Sequence, residues 1–476
     1  MSYPVNELQQ FGYQQELRRV LRFRDLLAYG LIFMVPIAPM AIYGAVFSAS
    51  GGMVVMAYAI GMVALVFTAF SYSRMVNAFP LSGSVYNYVG RGIGAPFGFV
   101  AGWAIMLDYI LVPSLLYLVA SVAIHASVAT VPILSAVPVW AWLVAFVLAN
   151  TIINTLGIKM TARFTWFMLL GELAVLGIFI GVGVWAVLSG KGHWTWEPLY
   201  NPHTFTLSIV LAATAVAVLS FLGFDGISML AEESRGGGKL VGRAMAGALL
   251  LAGVLFIAQT WLAAILTPDP QALIANGDPG GTAFYDAAQV AGGHWLATLC
   301  AVATAIAWGL PDSMVAQVAI SRLLYAMARD KQLPSFLAKV SRKHNVPRNA
   351  IMLVAAVSLA LGLYMNSRAD GISLLSSLIN FGALTAFLLL HLSVIVYYMF
   401  RRRSRNLFAH LVMPAIGATI LGFVIWNANV AAQKLGFVWI GLGILVLIIM
   451  YAAGRRPRLS GMEPAQPHLT PVHEAV

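Results

Sequence analysis

Charge is what this chain has least of. Only 9% of its 476 residues are Asp, Glu, Lys or Arg, against ~25% in soluble domains, while 60% are hydrophobic and the mean hydropathy is +0.85. That scarcity excludes an ordinary soluble protein and leaves a polytopic membrane protein. Cysteine is almost missing: Cys300 stands alone, so no intramolecular disulfide can form and the thiol reads as an inert core group. His125, His391 and His410 are scattered, no His/Glu metal spacing occurs, and no glycine-rich loop precedes a lysine in phosphate-binding form. These absences argue against a membrane enzyme and imply no cofactor. The residues before the first arginines lack a short apolar stretch with a cleavage site, so the first span, and no removable signal peptide, directs insertion. No soluble segment is long enough for a signalling domain, which argues against a substrate-sensing receptor.

What is there is a series of apolar runs of the length that crosses a ~30 Å hydrocarbon core. Twelve are expected, near 25–48, 53–75, 95–125, 139–157, 163–189, 206–231, 241–267, 293–321, 350–367, 372–400, 409–428 and 435–453. With both termini cytoplasmic, only Lys191, Arg368 and Lys434 of the 28 basic residues fall outside, as the positive-inside rule requires. The net charge of +11 is therefore an insertion signal and not an affinity for nucleic acid. Arg401, Arg402, Arg403 and Arg405 could in addition meet anionic lipid headgroups. The chain divides into a cytoplasmic N-terminal segment (1–24), a transport core (25–400), two further spans (401–453) and a Pro-containing tail (454–476) read as disordered. The acidic loop 268–292 reads as a solvated connector, with a cap over the outer vestibule as the alternative. The basic segment 322–349 reads as a helical continuation whose charges are topological.

Two spans are interrupted. Pro36 and Pro39 break Met34-Val35-Pro36-Ile37-Ala38-Pro39-Met40, and Gly223 and Gly226 break Phe221-Leu222-Gly223-Phe224-Asp225-Gly226. Irregular backbone at membrane depth is tolerated where it lines a cavity, and a pair of interrupted helices points to a secondary transporter's binding site. Cutting after the fifth span makes the broken spans the leading helices of two five-span halves, about 25–189 and 206–400, of opposite orientation. The expected fold is thus an all-α, 12-helix inverted repeat of the leucine-transporter type.

Four of the 17 acids fall within spans, with no base at mid-span: Asp108, Glu172, Asp225 and Asp312. Each costs at least ~2.5 kcal/mol on insertion scales and so needs protons, cations or backbone hydrogen bonds. Asp225 sits at the break, where it could face a cavity or cap the following half-helix. Asp108 is followed by Tyr109, a hydroxyl or an aromatic face for an ammonium. Asp312 follows Gly309 and Pro311 on a kinked helix and could bind a cation with Ser313. Glu172 could carry a proton or be a protonated, hydrogen-bonded structural acid. Asp225, Glu172 and Asp312 are the candidates for proton coupling, because desolvation favours the neutral acid. Phe221 and Phe224 flank the break as a candidate lid or cation-binding wall, or as packing.

Phe221-Leu222-Gly223-Phe224-Asp225-Gly226-Ile227-Ser228-Met229-Leu230-Ala231-Glu232-Glu233 resembles the amino acid–polyamine–organocation superfamily, in particular its bacterial putrescine importers. Phe79 to Tyr86, Gly102-Trp103 through Asp108-Tyr109, Ser321 to Tyr325 through Arg329-Asp330, and Ile379 to Leu384 extend the likeness in order along the chain. The resemblance implies a bacterial cytoplasmic-membrane carrier with substrate held between spans one, three, six, eight and ten, and alternating access driven by a proton gradient. By position it places at the substrate the backbone around Ile37, Ala38 and Met40, with Asp108, Tyr109, Phe221, Gly223, Phe224 and Asp225. Two departures stand out. Amino-acid carriers of this superfamily cradle the substrate carboxylate with a glycine-rich first break, whereas Pro36 and Pro39 have removed two N–H donors here. Putrescine importers, so aligned, carry an aspartate where Ala41 stands and no acid at Asp312. The expected function is proton-coupled import of an organic amine, putrescine or a related amine, with sodium as the alternative ion. An amino-acid permease or exchanger is the competing reading, although Thr165, Asn380 and Thr385 do not supply an obvious carboxylate site. Monomer and homodimer both remain open.

Overall fold

The computed structural model describes residues 19–81, 84–128, 132–278, 281–330, 333–341, 343–344, 346–368 and 371–454. The first 18 residues, the tail from 455, Ser82, Gly83, Lys331 and Arg342, and the side chains of Lys159 and Thr165, lie outside the described residues.

Apolar sequence with its backbone bonds satisfied internally can only be helical in lipid, and the described chain is a helical bundle. Its first span is two helices, α1 (Phe23–Met34) and α2 (Pro39–Ala49), bent by 54°. Pro36 cannot donate to α1, and Pro39, which needs no partner at a first helical position, starts α2. Between them Val35 holds φ at 48°, a left-handed conformation that a β-branched residue adopts only under constraint. There follow α3 (Val54–Ala78), the short α4 (Ser84–Gly92), α5 (Ala95–Ser127), the single turn α6 (Pro132–Ser135), α7 (Val139–Leu156) and α8 (Ile158–Leu188).

The sixth span starts as α9 (Leu207–Ala217), tightens to a 3-10 turn at Val218–Phe221, breaks at Leu222–Gly223 and resumes as a 3-10 helix, Phe224–Glu233. After α10 (Gly237–Leu266), α11 (Pro270–Asn276) and α12 (Ala283–Gly292) comes the eighth span. It is α13 (His294–Ala307), a π turn at Trp308–Asp312 and α14 (Ser313–Arg329). α15 (Arg348–Asn366), α16 (Gly371–Ile395), α17 (Met413–Trp426) and α18 (Val430–Ala452) complete the bundle. Among the described residues, eleven helical stretches are long and apolar enough to cross a bilayer and the bent α1–α2 pair makes a twelfth, at the positions expected from hydropathy. The protein is a multi-pass membrane protein.

α1 lies against the Phe224–Glu233 segment, α8 and α10; α3 pairs with α10, and α5 with α16. Glycine sets the closest approach. A Cβ on Gly223, itself at φ 111°, would stand 2.6 Å from the Phe33 carbonyl oxygen, and one on Gly226 would stand 2.6 Å from the Phe33 ring. The two interrupted spans therefore touch at their breaks. α18 is peripheral: Gly436 and Gly443 seat it over Phe381 and Trp103. Trp103 and Trp439 also stack and exchange indole N–H bonds to each other's carbonyls at 2.9 and 2.8 Å. The rest of α18 presents side chains such as Phe437 and Val438 outward, toward lipid.

Two expectations about the connecting segments need correction. Loop 268–292 is no solvated connector, because Phe284 of α12 is fully buried between Tyr43 and Phe179. Asp278 packs on Gly44 and accepts the Thr282 and Ala283 N–H groups. An apolar helix face, hidden among acids in the sequence, docks this loop onto α2. At the opposite, basic end α14 does continue the eighth span. Its arginines, however, are not only topological: Arg322 pairs with Glu233 and Arg329 with Glu232 (3.3 Å), all four carboxyl and guanidinium groups being largely buried.

Candidate functional site

A cavity of about 30 Å³ lies where the two breaks meet α5 and the π turn of the eighth span. It has room for about two water molecules, so a substrate of several heavy atoms needs helix or side-chain movement to enter. Asp108 of α5 and Asp312 of the π turn both line it, and each has one carboxylate oxygen, Oδ1, without a hydrogen-bond partner. No lysine, arginine or histidine is among the lining residues. Phe33, Tyr109 and Trp308 contribute aromatic surface to the same walls, which suits an ammonium group.

Each acid is placed by its backbone. Gly382 of α16 packs so tightly on α5 that a Cβ there would lie 2.8 Å from the Ala104 carbonyl oxygen and 3.1 Å from the Asp108 nitrogen, which fixes the turn carrying Asp108. Asp312 ends the turn Trp308-Gly309-Leu310-Pro311-Asp312, where Pro311 and π winding interrupt the helical ladder, a feature concentrated at functional sites. Asn150 of α7 holds the adjoining turn: its Nδ2 donates to the Gly309 carbonyl at 2.9 Å and to Ser313 Oγ at 2.7 Å.

Among the positions expected to face substrate, Ala38, Asp108, Tyr109, Gly223 and Asp312 line the cavity. Others do not. Ile37 and Met40 are buried in the packing around the first break. Phe221 packs on Tyr58 and Phe256, and Phe224 on Tyr72 and Phe387, so neither stands at the cavity as a lid. Ser313 donates to the Gly309 carbonyl of its own helix. Asp225 lies one layer behind: its Oδ2 accepts the Tyr109 hydroxyl at 2.5 Å and the Tyr72 hydroxyl at 3.2 Å, leaving Tyr109 between it and the cavity. Glu172 sits outside the lining, buried on α8 with neither oxygen bonded.

The first break has few N–H groups to offer. Pro36 and Pro39 have none, and Ala38, Met40 and Ala41 donate to Val35, Ile37 and Ala38 carbonyls at 2.7, 2.9 and 3.1 Å. In the second break, Leu222 and Gly226 N–H groups are used by Leu219 and Gly223 carbonyls. The freed Pro36 carbonyl accepts from Gln259 Nε2 of α10 at 2.8 Å. Gln259 was not singled out from the sequence. A glutamine within the apolar stretch of α10 was the available signal. Phe33, Ser220 and Trp308 of the lining were also missed, because one aromatic or serine among many carries no pattern. His391, by contrast, is a satisfied core side chain between Thr68 Oγ1 (3.2 Å) and Ser71 Oγ (2.9 Å).

Residues 26–453 match the family described as amino acid permease. Over 452 residues the chain is 31% identical to the low-affinity putrescine importer PlaP of Escherichia coli (strain K12), covering 93% of this chain and 96% of that one. It is 28% identical to the branched-chain amino acid permease BcaP of Lactococcus lactis, covering 92% and 95%. It is 27% identical to a methylthioribose transporter of Bacillus subtilis, covering 94% and 96%. With the paired interrupted spans and the acid-lined cavity between them, these matches along nearly the full length establish that the chain is a transporter of the amino acid permease family and not an enzyme.

Proposed function

We propose that this carrier imports an organic amine, putrescine or a closely related amine, across a bacterial cytoplasmic membrane, coupled to protons. The reading rests on one observation above the others: Asp108 and Asp312 line a single cavity, each with an unpartnered oxygen and no cation beside it. Two carboxylates with aromatic neighbours complement ammonium groups. A zwitterionic amino acid also needs donors for its carboxylate, and at the first break Pro36 and Pro39 have no N–H while those of Ala38, Met40 and Ala41 are spent on local carbonyls. The likeness to a putrescine importer supports the same choice. Asp312 then supplies, from the eighth span, the counter-charge that Ala41 lacks in the first. In this reading both termini and the Arg322–Glu233 end face the cytoplasm, and the two five-span halves alternate access around the site. Spans eleven and twelve stay peripheral.

Binding stabilises a protein by an amount set by ligand concentration over affinity. A thermal-shift panel of the detergent-purified protein should therefore show stabilisation by putrescine, cadaverine, agmatine or small monoamines. Leucine, isoleucine and valine, tested because of the branched-chain relative, should have no effect. Stabilisation by amino acids with every amine silent overturns the reading.

A further inference from the structure

Positive charge without a counter-ion is concentrated where α16 turns into α17. α16 ends in a π turn, Val396–Arg401, and α17 is entered through another, Phe408–Val412, so the connection between them is short. It is also closely held. The Arg402 and Ser404 N–H groups donate to the Tyr397 and Tyr398 carbonyls at 2.9 and 2.8 Å. Ser404 Oγ and His410 Nδ1 share a hydrogen bond at 2.8 Å, and the His410 ring stacks on Tyr398 with centroids 4.0 Å apart. The Tyr398 hydroxyl donates to the Arg74 carbonyl at 3.0 Å, which ties the connection to the end of α3. Arg401 belongs to this scaffold, since its guanidinium donates to the Arg91 carbonyl at 2.9 Å and to the Ile93 carbonyl. α4, gripped in this way at Arg91, carries Tyr86, whose hydroxyl donates to Asp330 Oδ2 at 2.8 Å. The connection therefore lies at the same end of the bundle as the Arg329–Glu232 pair.

The other guanidiniums are not consumed. Arg402 spends Nε on the Tyr397 hydroxyl at 3.0 Å. Its terminal nitrogens, like the exposed Arg403 and Arg405 side chains, have no acidic partner among the described residues. Arg74, 4.6 Å over the Phe70 ring, has none either. The helices that meet here, α3, α4, α16 and α17, contain no Asp or Glu at all. Phe400, Leu407 and Phe408 stand exposed on either side of the arginines, which sets apolar side chains for acyl chains beside cations at headgroup level. We propose that Arg402, Arg403 and Arg405, with Arg74 at the edge, bind the phosphate of an anionic phospholipid in the leaflet at this end. Guanidinium forks match phosphate oxygens with charge-assisted hydrogen bonds, and a connection already held in place loses little further freedom on binding. A phosphatidylglycerol headgroup suits the site better than phosphatidylcholine, whose own ammonium opposes the arginines.

The test titrates the full chain, in a neutral detergent, with short-chain phosphatidylglycerol, short-chain phosphatidylcholine or glycerol phosphate, and counts bound lipid by native mass spectrometry. Phosphatidylglycerol should bind more tightly than phosphatidylcholine, and glycerol phosphate, which has the phosphate without acyl chains, should not displace it. A basic residue near an anionic surface is worth about fivefold in affinity, so the double variant Arg403→Gln/Arg405→Gln should bind phosphatidylglycerol about 25-fold more weakly. Lys343→Gln/Arg348→Gln removes the same charge from exposed positions between α14 and α15 and should leave the affinity within about threefold, because attraction by net charge alone falls off with distance. Equal losses in the two double variants mean diffuse attraction and overturn the proposal. So does equal binding of the two lipids by wild type, or displacement by glycerol phosphate at the lipid's own concentration, which would mark a free-anion site. Should Arg403→Gln/Arg405→Gln fail to insert, wild type photolabelled with a phosphatidylglycerol bearing a headgroup crosslinker decides. Label within residues 396–412 is expected, and label only elsewhere overturns the proposal.

Discussion

Asp108→Asn and Asp312→Asn each keep side-chain shape while removing one of the two charges that line the cavity. Both carboxylates are buried, at 2% and 5% exposure, with an oxygen free to accept. Truncating one partner of a buried, hydrogen-bonded charge pair costs about 2–5 kcal/mol, and the lower figure corresponds to a loss of about 30-fold in affinity. A diamine spanning the two acids should therefore lose at least about 30-fold in each single variant. Butylamine, with one ammonium, should lose that much in only one of them. In the variant that spares butylamine, putrescine and butylamine should bind with similar affinity, since the second ammonium no longer has a partner. Calorimetric titration of wild type and both variants with the two ligands measures this directly. The reasoning fails if both variants bind putrescine within about threefold of wild type, or if both lose butylamine and putrescine equally.

Three further substitutions test how the site is held. Gly223→Ala forces a Cβ at φ 111° against the Phe33 carbonyl, adding about 1–2 kcal/mol for the left-handed residue and about 1–3 for overpacking. It should lower the thermal midpoint and abolish uptake, whereas Gly171→Ala, with nothing within 4 Å, should do neither. Gln259→Leu strands the Pro36 carbonyl that Nε2 serves and should cost about 1–3 kcal/mol, seen as a lower melting temperature and weaker putrescine binding. Arg322→Met leaves Glu233 buried without its partner, a change worth about 3–5 kcal/mol. Adding Glu233→Gln to it should recover most of the lost thermal stability.

Much of the fold was legible because lipid imposes one rule everywhere: apolar runs of a fixed length become helices. The breaks were legible because Pro36 and Pro39 cannot donate to a helical ladder and Gly223 and Gly226 stand beside a carboxylate in the middle of an apolar run. What could not be read was the direction in which side chains point. Asp108, Asp225 and Asp312 look alike in sequence, yet two line the cavity and the third lies behind the Tyr109 and Tyr72 hydroxyls. Phe221 and Phe224 flank the break in sequence but turn into the packing. Arg322 and Glu233 are separated by 89 positions, so charge counting alone assigned the arginine a topological role. The reverse error came from loop 268–292, whose acids and prolines concealed the buried face of α12.

Counter-gradient uptake is the measurement that meets the central claim head-on. Proteoliposomes with an alkaline lumen and external radiolabelled putrescine should accumulate the amine above equilibrium, and collapsing the pH gradient should abolish the accumulation. An excess of unlabelled leucine should leave it unchanged. If labelled leucine accumulates instead, while putrescine neither enters nor competes, then the acid-lined cavity does not select amines and the account is wrong.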